Sequence, residues 1–398
     1  FFDDSRETCH DPFLLDGMKK AVQRIQAAVN SGEKIRVYGD YDADGVSSTA
    51  LMFFLFKKLN ARFDYYIPHR QNEGYGLNNN AVRLAAEEEV SLIITVDNGI
   101  SAADEVKEAE RLGIDVIVTD HHEPPELLPE ALAIINPKKP GCPYPFKQLA
   151  GVGVALKLAQ ALLGEVPQEM WQIAAIGTVA DIMPLIDENR SIVKKGLKYM
   201  NEHPLPGIRA LLASAGHHKP EVTATHIGFS LAPRINAGGR MDHADSAVKL
   251  LTAEEREKAD EYASYLNRLN QERKKTVEEI TREALKQIAG KSELDKVLVL
   301  AGENWNVGVI GIVAAKILEQ FYRPVIVLSI DSQSGLAKGS ARSIAGYDIH
   351  KALTACSELL DHFGGHQMAG GLTVPVENIA RLRERLNELA DEWLTADD

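Results

Sequence analysis

Four segments of this chain set carboxylates and imidazoles at spacings that call for a cation. Gly39-Asp40-Tyr41-Asp42-Ala43-Asp44-Gly45 holds acids at i, i+2 and i+4 in one tight loop. Such acids repel one another unless a positive charge sits among them. Val96-Asp97-Asn98-Gly99 and Asp120-His121-His122 each close a further apolar run. Asp181 ends the apolar stretch Thr178-Val179-Ala180, and an acid so placed should be paired or metal-bound. Carboxylate oxygens with imidazole nitrogen suit Mn2+ or Mg2+ better than a thiolate-rich zinc site. Any single member is commonly a helix cap or a solvated turn, but the set points to a metal centre. An EF-hand is excluded: Asp40, Asp42, Asp44 and Gly45 fit its first half, yet Leu51 stands where the bidentate Glu belongs, and a strand leads in.

Loops so far apart in sequence need a scaffold to gather them. The first half alternates apolar runs of strand length with amphipathic runs of helix length. The pattern predicts strands at Lys34–Gly39, Phe63–Ile67, Leu92–Val96, Asp115–Thr119 and Ala133–Ile135. Helices are predicted at Val46–Leu59, Asn78–Glu88, Ala102–Leu112, Gly151–Leu163 and Glu169–Ala180. This βαβα rhythm implies a parallel sheet with helices on both faces. The acidic loops then share the carboxyl edge, where open α/β sheets bind ligands.

Thr252–Ala289 lacks Pro and Gly and carries nine acids against eight bases, which predicts one long solvated connecting helix stopped by Gly290. A second, smaller α/β unit follows. Its strands are expected at Lys296–Leu300, Pro324–Ile330 and Leu336–Arg342, and its helices at Val307–Phe321 and Ile349–His362. The seven acids of Val376–Asp398 read as solvated surface. The expected domains are therefore 1–251, 252–289 and 290–398.

The 398 residues include 44 Lys and Arg against 57 Asp and Glu, a net charge of −13, with 45% hydrophobic residues. That composition is globular and excludes a fibrous or disordered chain. The charge argues against a DNA-coating protein, but not against an enzyme that meets nucleic acid through a local basic patch. Cys9, Cys142 and Cys356 form no CxxC pair, so a disulfide framework and a zinc ribbon are excluded and a reducing cytoplasm is expected. No apolar run reaches the roughly 18–20 residues of a membrane span, and no signal peptide is seen. The start at Phe1 suggests a missing N-terminal stretch. No Walker A sequence occurs, so ATP-driven unwinding is not expected.

Asp42-Ala43-Asp44-Gly45, Val96-Asp97-Asn98-Gly99, Asp120-His121-His122 and Val179-Ala180-Asp181 resemble the ordered motifs of the DHH phosphoesterase superfamily. Other segments resemble its bacterial RecJ family more closely. These are His10-Asp11-Pro12-Phe13-Leu14-Leu15, Pro68-His69-Arg70, Gly74-Tyr75-Gly76-Leu77, Pro233–Met241, Gly308–Ala314, Gly339-Ser340-Ala341-Arg342-Ser343 and Gly364-Gly365-His366.

The resemblance implies a DHH domain joined by the long helix to a DHH-associated domain, and a 5′→3′ exonuclease specific for single-stranded DNA. It implies two divalent ions, Mn2+ or Mg2+, with Asp97 between them. Asp44, His121 and Asp181 would complete one ion, and Asp42 with Asp40 the other. His122 would position substrate or act from behind the ligands. Tyr38 stands where several superfamily members carry a metal-binding His, so Asp40 or water is expected to fill that place.

Guanidinium forks suit a phosphate backbone. Arg70, Arg234, Arg240 and Arg342 lie in Gly-, Pro- or Ser-rich segments rather than on charged helical faces. Arg70 is the candidate for the terminal 5′ phosphate and His366 for a phosphate near the metals. Asn236, Ser340 and Gly365 belong to the same resembling segments. Tyr75 and Trp305 are candidates for base stacking.

A role in DNA repair and recombination follows from the resemblance. So do single-strand-binding protein and a RecQ-type helicase as partners, a monomer with no membrane contact, and an OB-fold beyond Asp398. A DHH phosphodiesterase of short oligoribonucleotides or cyclic dinucleotides is the competing enzyme. A non-catalytic scaffold is disfavoured because Asp42, Asp44, Asp97, His121 and Asp181 are all present.

Overall fold

Val- and Ile-rich runs with little polar interruption form strands buried on both faces, as a parallel sheet requires. In the computed structural model, which describes residues 8–217, 221–289 and 294–394, five strands form one sheet. They are β1 (Lys34–Tyr38), β2 (Phe63–Tyr66), β3 (Val90–Val96), β4 (Asp115–Thr119) and β5 (Ala133–Ile135). All neighbours are parallel, in the order β2-β1-β3-β4-β5. The chain therefore winds outward in one direction from β1 and in the other from β3, and the crevice at their carboxyl ends is a topological switch point. The acidic loop follows β1, and Asp97 follows β3.

Two apolar helices, Gly151–Leu163 and Gln168–Ala180, pack with Ala43–Lys58 in the main core beneath this edge. Ala43–Lys58 begins three residues before its predicted start, because Asp42 caps it through a hydrogen bond from the Gly45 N–H (2.9 Å).

The chain divides into two compact units, Phe1–Asn270 and Gln271–Asp398, and the division falls within the helix Arg256–Lys286. That helix is less solvated than its charge suggests. Ala259, Ala263, Leu266 and Leu269 lie in the core of the first unit, and Val277, Ile280 and Ala284 are also buried. Its predicted stop, Gly290, lies outside the described residues.

The second unit has its own five-stranded sheet. Its strands are β6 (Leu298–Glu303), β7 (Val325–Asp331), β8 (Leu336–Arg342), β9 (His362–His366) and β10 (Ala369–Pro375), in the order β6-β7-β8-β10-β9. Only β6 and β7 are parallel, joined through the helix Ile310–Phe321.

One expectation fails in this unit. The helix from Ile349 stops at Thr354, and His362 opens β9 instead of closing a helix. The described acids of the chain's end, Glu377, Glu384, Glu388, Asp391 and Glu392, are exposed as expected; all but Glu377 lie on Ile379–Trp393, an amphipathic helix that buries Ile379, Leu382, Leu386 and Leu389. Asp397 and Asp398 lie outside the described residues.

Candidate metal centre

The switch-point crevice gathers all the predicted ligands of the first unit. Asp40, Asp42 and Asp97 place one carboxylate oxygen each within 4.8 Å of one another. A second group of the same compactness is Asp44, His121 and Asp181, and a third is Asp97, His121 and His122. Nε2 of His121 lies 3.1 Å from Oδ1 of Asp97, 3.6 Å from Oδ2 of Asp181 and 3.8 Å from Oδ2 of Asp44.

Backbone groups aim these side chains. Asp44 accepts from the N–H groups of Gly151 (2.7 Å) and Val152 (2.9 Å) at the start of Gly151–Leu163, the positive end of a helix. Asp97 adopts φ +61, a left-handed conformation that Asp tolerates better than most residues. Asp120 anchors its neighbours through hydrogen bonds. Its Oδ2 accepts from Ile100 N–H (3.0 Å), and its Oδ1 accepts from the N–H groups of His121 (2.7 Å) and His122 (3.2 Å) and stands 2.7 Å from His122 Nδ1.

Electrostatics distinguish the two histidines. Burial, with His122 beside it, lowers His121 to about 4, leaving the neutral imidazole that a metal needs. Burial also opposes charge on His122, but the Asp120 carboxylate outweighs it and raises His122 to about 9. Asp40, Asp44 and Asp97 are pushed well up, first by burial and then by one another or by the neighbouring Asp42 and Asp181. The same causes raise Asp181 to about 6. Oδ1 of Asp40, Oδ1 of Asp97 and Oδ2 of Asp181 are buried and accept no hydrogen bond. Natural proteins rarely leave buried acceptors unpaired. Crowded, unpaired oxygens beside a neutral imidazole fit divalent cations.

Tyr38 takes no part. It is buried against Tyr66, donates its hydroxyl to the Gly76 carbonyl (2.9 Å) and leaves Asp40 to face the cluster. Arg70 stacks on the Tyr41 ring at 4.7 Å, beside the acidic loop. Tyr75 is half exposed and donates to the Asp97 carbonyl (3.1 Å), with His122 Nδ1 at 3.2 Å.

The segment Pro233–Met241 is helical. Arg234 and Arg240 lie on the helix Ala232–Met241, with Pro233 in its first turn, where no N–H is required. Arg234 is braced by Asn267 Oδ1 (3.0 Å) and the Ser230 carbonyl (2.8 Å). Asn236 Oδ1 accepts from the Ala43 N–H (2.8 Å), tying this helix to the acidic loop.

In the second unit, Arg342 pairs with Ala369 across β8 and β10, and Ala369 with His366 across β10 and β9. Arg342 and His366 therefore flank Ala369 in one row of the sheet, on the same face. Ser340 receives an Arg342 N–H at 3.1 Å, and Gly365 adopts φ +140 next to His366. Trp305 is no stacking platform: it is buried and donates to Glu283 (2.8 Å).

Sequence reasoning missed Gly151 and Gly177. A Cβ on Gly151 would stand 2.4 Å from Asp97 Oδ1, and one on Gly177 would stand 2.7 Å from Asp44 Oδ1. Both glycines make room for carboxylates that belong to distant segments.

A family profile described as the DHH family, N-terminal domain, matches residues 34–178, and the DHHA1 domain matches residues 294–392. The single-stranded-DNA-specific exonuclease RecJ of Bacillus subtilis is 51% identical over 389 residues, 98% of this chain and 50% of that protein. RecJ of Dickeya dadantii is 39% identical over 96% of this chain and 71% of its own length. A crystal structure of exonuclease RecJ bound to manganese superposes with a TM-score of 0.85 at 35% identity, covering 95% of both chains. The chain thus spans half the length of its Bacillus subtilis relative. Shared motifs, shared fold and 39% identity across most of the Dickeya dadantii protein place this chain in the RecJ family.

Proposed function

We propose that this chain is the catalytic portion of a metal-dependent exonuclease that degrades single-stranded DNA from its 5′ end and releases 5′-mononucleotides. The observation that carries the proposal is the set of buried oxygens without hydrogen bonds on Asp97 and Asp181 around His121, with that of Asp40 grouped beside Asp97. Similarity to a manganese-bound RecJ structure supports the same assignment. Asp97 would lie between two ions, with Asp44, His121 and Asp181 on one side and Asp40 and Asp42 on the other. When bound, such ions activate water and neutralise charge building on the phosphate.

The protein's own groups then have separate tasks. Neutral His121 offers a lone pair without first losing a proton. Protonated His122, held by Asp120, gives a phosphate oxygen a charged donor at neutral pH. Tyr75 fixes the Asp97 backbone from one side, and Asn236 fixes the acidic loop from the other. Arg70 is suited to a terminal 5′ phosphate. Arg234, Arg240, Ser340, Arg342, Gly365 and His366 would hold the strand, which gives residues 1–251 the chemistry and residues 290–398 a substrate-binding task.

Among the described residues no helix is long and apolar enough to cross a membrane. A cytoplasmic monomer acting in DNA repair and recombination, supplied with single strands by single-strand-binding protein and a RecQ-type helicase, fits this reading. The test compares a long 5′-phosphorylated single strand with a ribodinucleotide, both in Mn2+. Mononucleotide release from the long strand supports the proposal. An intact strand beside rapid dinucleotide cleavage would favour the short-RNA or cyclic-dinucleotide phosphodiesterase instead.

A further inference from the structure

The helix Gln168–Ala180 ends in a two-bond cap directly after the metal cluster. Ile182 N–H bonds to the Val179 carbonyl (3.1 Å), and Met183 N–H bonds to the Thr178 carbonyl (3.3 Å). This is the Schellman pattern, with Asp181 at the helix end and Ile182 in the left-handed position that glycine ordinarily fills. Ile182 adopts φ +57, and its side chain is almost wholly in water, 89% exposed. Of the described non-glycine residues with positive φ, which are Asn60, Glu89, Asp97, Ile182, Asp187, Asn304 and Tyr322, it is the only β-branched one. A branched Cβ clashes with its own backbone there, and exposure returns no packing energy. Glycine would cap this helix better, so the isoleucine runs against the local preference. Strain at the edge of a reactive cluster is a signature of function rather than of folding.

The surroundings say what such a side chain meets. Ile182 follows Asp181, whose Oδ2 lies 3.6 Å from His121 Nε2, so its Cα stands about 3.8 Å from the Cα of a proposed ligand. Leu185 and Ile186 in the same loop are 39% and 49% exposed. The helical turn Ile227–Leu231 packs on this helix end, where a Cβ on Gly228 would meet Val179 Cγ1 at 3.6 Å, and it carries Phe229, 81% exposed. Exposed apolar side chains thus lie on the loop that follows Asp181 and on the turn packed against the same helix end. In a single strand each phosphate is followed by an unpaired base whose apolar face needs cover.

We propose that Ile182 is a positioning residue: it packs against a nucleobase beside the scissile phosphate, and the strained cap exists to present it. The proposal rests on the nuclease reading above, and its occupant is a base of the substrate strand. It predicts sequence-tolerant contact, since every base has an apolar face and isoleucine offers no hydrogen bond.

The test uses this chain in Mn2+ with 5′-phosphorylated oligodeoxynucleotides, intact or with one abasic site at each of the first five positions. Ile182→Gly should raise the melting temperature by removing strain, and should raise KM on the intact strand about five- to tenfold with a smaller effect on kcat. Ile182→Asn, which tolerates the left-handed backbone but is polar, should show the same KM defect. Ile182→Val should restore KM. For one abasic position, wild type and Ile182→Gly should become equal.

An unchanged KM in Ile182→Gly, or a defect of equal size on every abasic strand, overturns the proposal while leaving the nuclease reading intact. A lower melting temperature in Ile182→Gly overturns the strain argument and the proposal with it. Wild type that cleaves no single strand overturns both readings.

Discussion

Nε2 of His121 lies 3.1 Å from Oδ1 of Asp97, although 24 residues and a complete αβ unit separate them in sequence. The approach exists because β3 and β4 are adjacent, parallel and in register to their last residues, Val96 opposite Thr119. Strand ends that finish level deliver their next residues to one place. Ligands brought together by sheet registry are preorganised, so binding divalent ions needs little ordering of the chain.

The glycine cradle makes the first prediction. Gly151→Ala forces a methyl to within 2.4 Å of Asp97 Oδ1, and Gly177→Ala forces one to within 2.7 Å of Asp44 Oδ1. Overpacking of this kind costs about 1–3 kcal/mol, but here it falls on the carboxylates. Manganese affinity, read by titration calorimetry, should drop at least about tenfold in either variant, the equivalent of about 1.4 kcal/mol. Affinity equal to wild type would mean that the carboxylates do not hold the ion.

Chelation should change how stability depends on pH. A carboxyl whose folded pKa lies above its unfolded value takes up a proton more readily folded than unfolded. Its stabilising contribution is complete below the unfolded value and is lost as pH rises through the folded one. Asp181 moves from 3.8 to about 6, and Asp40, Asp44 and Asp97 shift in the same direction. In chelator, these four carboxyls should therefore lower the melting temperature as pH rises from about 4 through about 6, opposed in part by His121, which is held at about 4 and whose contribution grows over the same range. Saturating Mn2+ should cancel that fall by binding the ionised forms, and Asp181→Asn should lessen it. Identical profiles with and without Mn2+ would argue against a shared cation site.

The Asp120–His122 pair governs the alkaline side. Asp120 raises His122 to about 9 against the effect of burial, so a step that needs the imidazolium should decline near that pH. Asp120→Asn removes the charge that sustains the shift and should move the decline to lower pH. His122→Gln should cost about 10²–10⁴-fold in kcat if the ring donates a proton or a charged hydrogen bond during reaction. An alkaline limb that stays in place in Asp120→Asn would detach His122 from the rate.

Arg70 separates end recognition from general grip. Its guanidinium stacks on Tyr41 beside the cluster, and a charged hydrogen bond to phosphate is worth about 1.5–3 kcal/mol. Arg70→Ala should erase most of the preference for 5′-phosphate over 5′-hydroxyl strands. Arg342→Ala should weaken both substrates alike. Competition assays with the two end chemistries distinguish these outcomes.

Much of the centre was legible in sequence because three of the four acidic motifs follow hydrophobic strands, and strand ends in a parallel sheet share an edge. Asp40, Asp42, Asp97 and His121 needed only that rule. What stayed hidden depended on tertiary fit. Gly151 and Gly177 look like ordinary helix glycines until distant carboxylates arrive beside them. Pro233–Met241 carries no predicted element, its Pro and paired glycines masking a helix in which Pro sits in the first turn and Asn236 binds the acidic loop. The helix expected to reach His362 ends early because Phe363-Gly364-Gly365 pairs with β10. Charge concealed the final helix, whose apolar stripe recurs every three or four residues among the acids.

The central claim is most directly tested by digesting a 3′-labelled, 5′-phosphorylated single strand in Mn2+ with wild type and Asp97→Ala prepared alike. The account predicts that wild type shortens the labelled strand progressively from its 5′ end and releases 5′-mononucleotides. Asp97→Ala should bind the strand within a few-fold of wild type and cleave it at least about 10³-fold more slowly, the loss expected when the shared ligand of a two-ion site is removed. Cleavage by Asp97→Ala at the wild-type rate, or release of the label as the first product, would contradict it.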